Sequence, residues 1–155
     1  MQLADCPLCR EDGGAILWRG PLFRVIDARD ADYPGFTRVI WHAHQAEMTQ
    51  LSPAERDVLM RAVYAVEQTL IDVFAPDKIN LASLGNMVPH VHWHVIPRWR
   101  DDRHFPDAVW ATPRVTSGAE TTTAQARQDR IHALLPTYHH RLTEALNAIA
   151  GIATT

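Results

Sequence analysis

The stretch His90-Val91-His92-Trp93-His94-Val95-Ile96-Pro97-Arg98 decides how the rest of the chain is read. Side chains alternate faces along a strand. A strand over His90 to Ile96, ended by Pro97, therefore sets His90, His92 and His94 on one side. Val91, Trp93 and Val95 face the other side, which is apolar enough to pack on a core. A row of solvated surface histidines is the plain reading, and the regularity of the flanks argues against it. Buried imidazoles each need a hydrogen-bond partner, and charged ones repel. Two chemistries remain open on these residues. Imidazoles on one strand face can share a metal ion. A neutral imidazole is also a nucleophile towards phosphorus, provided a neighbour fixes its tautomer and other donors meet the phosphoryl oxygens. Spacing alone does not choose between them.

Working outward, Lys78 to Leu84 reads as a strand and Gly85 to Pro89 as a tight loop. Upstream, Ser52-Pro53-Ala54-Glu55 is a capping box with proline at the first helical position. Leu59, Ala62, Val63, Val66, Leu70 and Val73 follow at helical spacing, so a helix is expected from Ser52 to about Phe74, stopping before Pro76. Thr37 to Trp41 reads as a strand. Ala15 to Trp18 and Phe23 to Asp27 read as a hairpin turning at Gly20-Pro21. Arg29 to Gly35 is a polar loop. Downstream, Arg98 to Trp110 is charged and irregular, and Arg98 and Arg100 to Arg103 are expected to be solvated. Ala124 to Leu135 and Thr137 to Ile149 look helical, split by Pro136. The expected fold class is α+β, with a mainly antiparallel meander sheet, one long packed helix and extra C-terminal helices. The expected organisation is a domain over 1–110, a mobile linker rich in Thr, Ser and Gly over 111–123, and a helical extension over 124–150.

The chain has 155 residues, enough for one domain with a core. A formal net charge of −3 with no Lys/Arg run argues against a nucleic-acid or membrane-surface binder. Phosphates, if handled, must be met by local donors. No stretch is long and apolar enough for a membrane span. Met1 to Asp5 lacks a secretory pattern, and the two cysteines, Cys6 and Cys9, form a C-x-x-C rather than a disulfide framework. The expected location is the cytoplasm. The cysteine pair suits metal binding or redox work in a reducing compartment, and the reduced pair in an N-terminal turn is the bland alternative. The tryptophans read as packing residues, and His139-His140 as surface.

The alternation of His with hydrophobic residues across His90 to Ile96 resembles the motif of the histidine-triad (HIT) family, and the resemblance runs from Cys6 to about Trp110. It is closest in kind to the branch that cleaves dinucleoside polyphosphates, which shares the Ile96-Pro97-Arg98 ending. The resemblance implies a nucleotide hydrolase in which His92 attacks a nucleoside α-phosphate and carries a covalent nucleotidyl-histidine. It implies that His94 serves the phosphate oxygens and the leaving group, and that His90 orients the nucleophile. Asn80 matches the family's phosphate-facing amide. Gly85 and Asn86 match its phosphate loop, where Met87 replaces a hydroxyl residue, and Asp27 matches its ribose acid, with Asp30 and Asp32 in the same loop. Phe36 stands where relatives carry His. No cofactor is needed for the attack, and Mg²⁺ enters only with the nucleotide. The zinc-carrying branch implies a structural zinc on Cys6, Cys9, His44 and His90, with His42 competing for the place of His44. The implied partners are a small-molecule nucleotide and a second copy in a homodimer. The alternatives are a nucleoside phosphoramidate hydrolase, a nucleotide-binding regulatory module with incidental turnover, and a protein that holds a metal on all three triad histidines.

Overall fold

A computed structural model of the chain describes residues 3–115 and 117–153. Met1, Gln2, Thr116, Thr154 and Thr155 lie outside the described residues, so part of the leader reading and one linker position fall there. A short helix, α1 (Pro7–Arg10), precedes β1 (Ala15–Arg19), β2 (Phe23–Asp27) and β3 (Thr37–Trp41). The helix α2 (Pro53–Phe74) follows, then β4 (Lys78–Ala82), β5 (His92–Arg98) and the helix α3 (Gly118–Ala153).

The five strands form one sheet in the order β1-β2-β3-β5-β4, and every neighbouring pair is antiparallel. The expected α+β class holds, with one departure from a simple meander. The helix α2 carries the chain past one strand position to β4, and β5 returns into the gap between β3 and β4. That insertion makes β5 a central strand and brings side chains from both neighbours beside its histidines.

α2 begins where the capping box placed it. Ser52 Oγ accepts from the Glu55 N–H, and the Glu55 carboxylate accepts from the Ser52 N–H at 2.8 Å. Its apolar stripe of Leu59, Ala62, Val63, Val66, Leu70 and Phe74 is fully buried. These side chains meet Val25, Val39, Trp41 and Val95 from one face of the sheet in a single core. The turn before β3 needs glycine at Gly35. Its φ is +87°, and a Cβ there would sit 2.5 Å from the Phe74 ring.

The C-terminal part corrects the sequence reading. One helix, not two, runs from Gly118 through Pro136, and residues 118–123 of the expected linker form its first turns. Pro136 removes one N–H and leaves the carbonyl of His132 without its helical donor. Both residues are exposed, so water can take that carbonyl. Ile131 on one side of the proline and Tyr138, Leu142 and Leu146 on the other are buried in the same core as α2. Tyr138 Oη also meets Thr37 Oγ1 at 2.6 Å, and Trp18 Nε1 donates to Asn147 Oδ1 at 2.8 Å. Burial on both sides outweighs the local cost. α2 and α3 thus cover one face of the sheet, and β5 shows His92, His94, Ile96 and Arg98 to the other.

Among the described residues, no helix is long and apolar enough to cross a membrane.

Candidate active site and metal centre

β5 starts at His92, not His90, which corrects the reading of three histidines on one strand face. Pro89 has no N–H to extend the ladder. Val91 still exchanges bonds, donating to Gln45 O at 2.7 Å and accepting from Trp41 N at 3.1 Å. The His90 ring is turned away from its two neighbours. Its Nε2 donates to Trp41 O at 2.7 Å, and its Nδ1 faces Cys6 Sγ at 3.4 Å and Cys9 Sγ at 3.6 Å.

His92 and His94 remain together on the open face, with ring centroids 4.8 Å apart and nearly perpendicular planes. His92 Nδ1 donates to the backbone carbonyl of His90 at 2.6 Å. That bond fixes the tautomer and leaves the lone pair on Nε2. Burial lowers the His92 pKa, and the Arg38 charge acts in the same direction. His94 is pushed down to about 3, by burial first and then by the charges of His92 and Arg38. Both rings are therefore neutral at pH 7. His94 is flanked by Phe36 at 5.6 Å and by the half-exposed Trp110 at 5.3 Å. Its Nδ1 is buried with no hydrogen-bond partner among the described residues.

A cavity of about 390 Å³ opens beside these rings, with Arg38, Gly85, Asn86 and Trp110 among its walls. Gly85 has φ +82°, and even a Cβ there would meet nothing closer than 3.7 Å, so its backbone is open to a ligand. Met87 is almost fully exposed. Leu8, between the two cysteines, is another wall of the same cavity.

Asn80 lies across from Ile96 on the histidine face, and its Oδ1 accepts from Arg98 Nη1 at 2.6 Å. Arg98 is 1% exposed and is not the solvated residue the sequence suggested. It makes a two-pronged pair with Asp102, at 2.7 and 3.0 Å, and donates to Asp107 O at 2.8 Å. Asp102 also accepts from the N–H groups of His104 and Phe105 and from Tyr33 Oη, which in turn meets His104 Nδ1 at 2.6 Å. This network fixes the C-terminal end of β5 at Arg98.

Asp27 is not brought to the cavity. It pairs with Thr37 and shares the helix-covered face with Val25, where its charge acts on Tyr138 and His139. Asp30 is the loop carboxylate whose charge reaches Arg38.

At the N-terminus, the ligand atoms of Cys6, Cys9, His44 and His90 all lie within 4.8 Å of one another. Cys9 Sγ is 3.6 Å from His44 Nδ1. Zn–S bonds of about 2.3 Å and Zn–N bonds of about 2.0–2.1 Å in a tetrahedron place S and N about 3.6 Å apart. The donor set fits zinc in chemistry and in spacing. His42 is not part of this group, and its Nε2 meets Gly20 O at 2.9 Å instead. Arg24 holds the cysteine segment in place by donating to the carbonyls of Leu8, Glu11 and Asp12.

The chain matches the family model described as HIT domain over residues 10–101, more than half of its length. The chain belongs to the HIT family. Among curated relatives of this HIT protein, the asymmetrical bis(5'-nucleosyl)-tetraphosphatase of Schizosaccharomyces pombe is 32% identical over 104 residues, covering 64% of this chain and 57% of the relative. An AP-4-A phosphorylase of Mycobacterium tuberculosis is 24% identical over 107 residues, covering 65% of this chain and 55% of that one. The chain thus spans little more than half the length of the curated relatives it matches. Among solved structures, a histidine triad protein from Bradyrhizobium japonicum superposes with a TM-score of 0.60 at 27% identity, covering 77% of this chain and 92% of that one. One from Marinobacter aquaeolei gives the same TM-score at 25% identity, covering 79% and 92%. In this HIT protein, sequence reasoning missed Arg38 and the Arg98–Asp102 pair. The alternation that places Arg38 on the histidine face was visible, but its pairing with His94 was not.

Proposed function

We propose that this HIT protein hydrolyses dinucleoside polyphosphates at a nucleoside α-phosphate through a covalent intermediate on His92. The observation that carries the reading is the bond from His92 Nδ1 to the His90 carbonyl at 2.6 Å, which leaves Nε2 as the free lone pair beside the cavity. Nε2 attacks the α-phosphorus; a P–N bond forms, and the bridging P–O bond breaks with its electron pair leaving on the polyphosphate. Water then attacks the phosphorus, the P–N bond breaks, and the nucleoside monophosphate leaves. A polyphosphate departs without needing a proton, which suits a His94 held neutral. A neutral imidazole can still donate one N–H to a phosphate oxygen. An amine leaving group needs a proton, so the phosphoramidate alternative fits this His94 less well. Gly85 and Asn86 offer backbone and amide donors, and Asn80 acts by holding Arg98. The ribose carboxylate is drawn from Asp27, which the family resemblance implies, and its loop neighbours Asp30 and Asp32; of these, the charge of Asp30 reaches Arg38.

No cofactor takes part in the attack, and Mg²⁺ accompanies the polyphosphate. Cys6, Cys9, His44 and His90 hold a structural zinc that ties the N-terminal segment to the start of β5. The working form is a cytoplasmic homodimer, with neither nucleic acid nor membrane as partner. Exposed Tyr64 and Ile71, one heptad apart on α2, support an interface there.

The test is product analysis after incubation with diadenosine tetraphosphate, beside His92→Asn. The expected result is release of adenylate by the wild type and none by a folded His92→Asn variant. Rapid quenching should trap nucleotide on the wild-type chain. Turnover only of a phosphoramidate would favour that branch. Tight nucleotide binding with no turnover of either substrate would favour the binding-module reading.

A further inference from the structure

Arg38 leaves β3 directly opposite His94, on the face that carries His92. Among the described residues, it is the one wall of the cavity with a permanent positive charge. The buried arginines Arg24 and Arg98 are committed to structure: Arg24 to three carbonyls and Arg98 to Asp102, Asn80 and Asp107. Arg38 is different. Its Nε is buried without a partner, and its guanidinium makes no hydrogen bond or ion pair among the described residues. Asp30 influences it only through its field. The guanidinium carbon lies 5.4 Å over the Phe36 ring. That contact sets the cation against the ring, and its N–H groups keep no protein acceptor among the described residues, so they are free for a two-pronged one.

A half-buried cation without a counterion costs free energy in the empty protein, and that cost is relieved when an anion arrives. The loop across the cavity cannot supply this charge. Asn86 is short and neutral, and Met87 has no donor to offer. We propose that Arg38 is the phosphate-chain receptor of the site. Its guanidinium pairs with oxygens of the polyphosphate next to the phosphorus that His92 attacks. It thereby selects multiply charged nucleotides over singly charged ones. The identity of the ligand rests on the function proposed above; the anion site itself does not.

The test is calorimetric titration of the wild-type protein and of Arg38→Met with adenosine, ATP and inorganic tripolyphosphate, at pH 8 so that histidines stay neutral. Arg38→Met is expected to weaken ATP and tripolyphosphate by roughly ten- to a hundredfold, the worth of a charged hydrogen bond. Adenosine should bind as it does to the wild type. Arg38→Lys, which keeps a charge but loses the fork, should retain part of the preference for the anions, and it carries the test if Arg38→Met does not fold. Equal loss for adenosine and ATP, or no loss for tripolyphosphate, overturns the proposal. Turnover separates the two readings. A wild type that binds tripolyphosphate through Arg38 yet cleaves no dinucleotide fails the function and keeps the anion site. A wild type that cleaves diadenosine tetraphosphate, with Arg38→Met equally active and equally avid for tripolyphosphate, does the reverse.

Discussion

Removing the Asp102 carboxylate isolates the buried network behind β5. Asp102 and Arg98 side chains are each 2% exposed and joined at 2.7 and 3.0 Å. Asp102→Ala leaves the guanidinium buried without its counterion, a change that costs about 3–5 kcal/mol. The N–H groups of His104 and Phe105 lose their acceptor as well, so the upper part of that range is expected. Whole-domain stabilities are about 5–15 kcal/mol. A loss of about 4 kcal/mol corresponds to roughly 8–16 °C in Tm for a chain of this size. Urea denaturation followed by circular dichroism measures the change. In the Asp102→Ala background, Arg98→Met should restore stability, because the unpaired charge is gone; a coupling of about 2–3 kcal/mol is expected in the double-mutant cycle. A loss below about 1 kcal/mol for Asp102→Ala, or strictly additive effects, would refute the reasoning.

The same pair has a pH signature. Burial alone would raise the Asp102 pKa, but the hydrogen bonds from Arg98 and His104 and the Arg98 charge carry it below its ordinary 3.8. A depressed carboxyl stabilises the fold above the unfolded value and loses that contribution as pH falls through the folded one. The gap between wild type and Asp102→Ala should therefore close below pH 3.8.

Two further outcomes are expected. Protein prepared with reductant should carry about one zinc per chain by elemental analysis; His44→Ala should lose it and His42→Ala keep it, and chelation should lower Tm, with equal metal content in the two variants counting against the site. The His94 pKa is lowered from 6.5 to about 3, so the unfolded chain binds more protons between those values and stability falls as pH drops through that window. The slope approaches about 1.4 kcal/mol per pH unit for this one group, and His94→Asn should flatten it between pH 6 and 4.5; an unchanged slope would show that the ring titrates normally.

What the sequence made legible was whatever local chemistry controls. The capping box at Ser52, the α2 stripe and the strands at 15, 23, 37 and 78 needed no partner to be recognised. The histidine alternation carried the site. Three things were hidden because they depend on tertiary partners. The position of β5 between β3 and β4 depends on how the chain returns after α2, and local propensity does not encode that. Pro136 reads as a break until Ile131 and Tyr138 are seen buried on either side of it. Arg98 and Asp102 look like members of a solvated charge run, because a pair four residues apart is ordinary on a surface. Nothing local reveals that Tyr33 and Phe105 close over them.

His90 shows why alternation misled at the most informative point. Its backbone serves the nucleophile and its ring serves the cysteine cluster, so the two roles attributed to one imidazole belong to two parts of one residue. The consequence is a line of constraint from the N-terminus to the reaction. Arg24 holds the carbonyls of the cysteine segment, and Cys6 and Cys9 meet the His90 ring. The His90 carbonyl then fixes the His92 tautomer. Leu8, on the same segment, forms part of the cavity wall. Zinc bound to this set would order the segment without touching the phosphate. Its loss should therefore loosen the cavity and the nucleophile together, while leaving the α2 core and the Arg98 network in place.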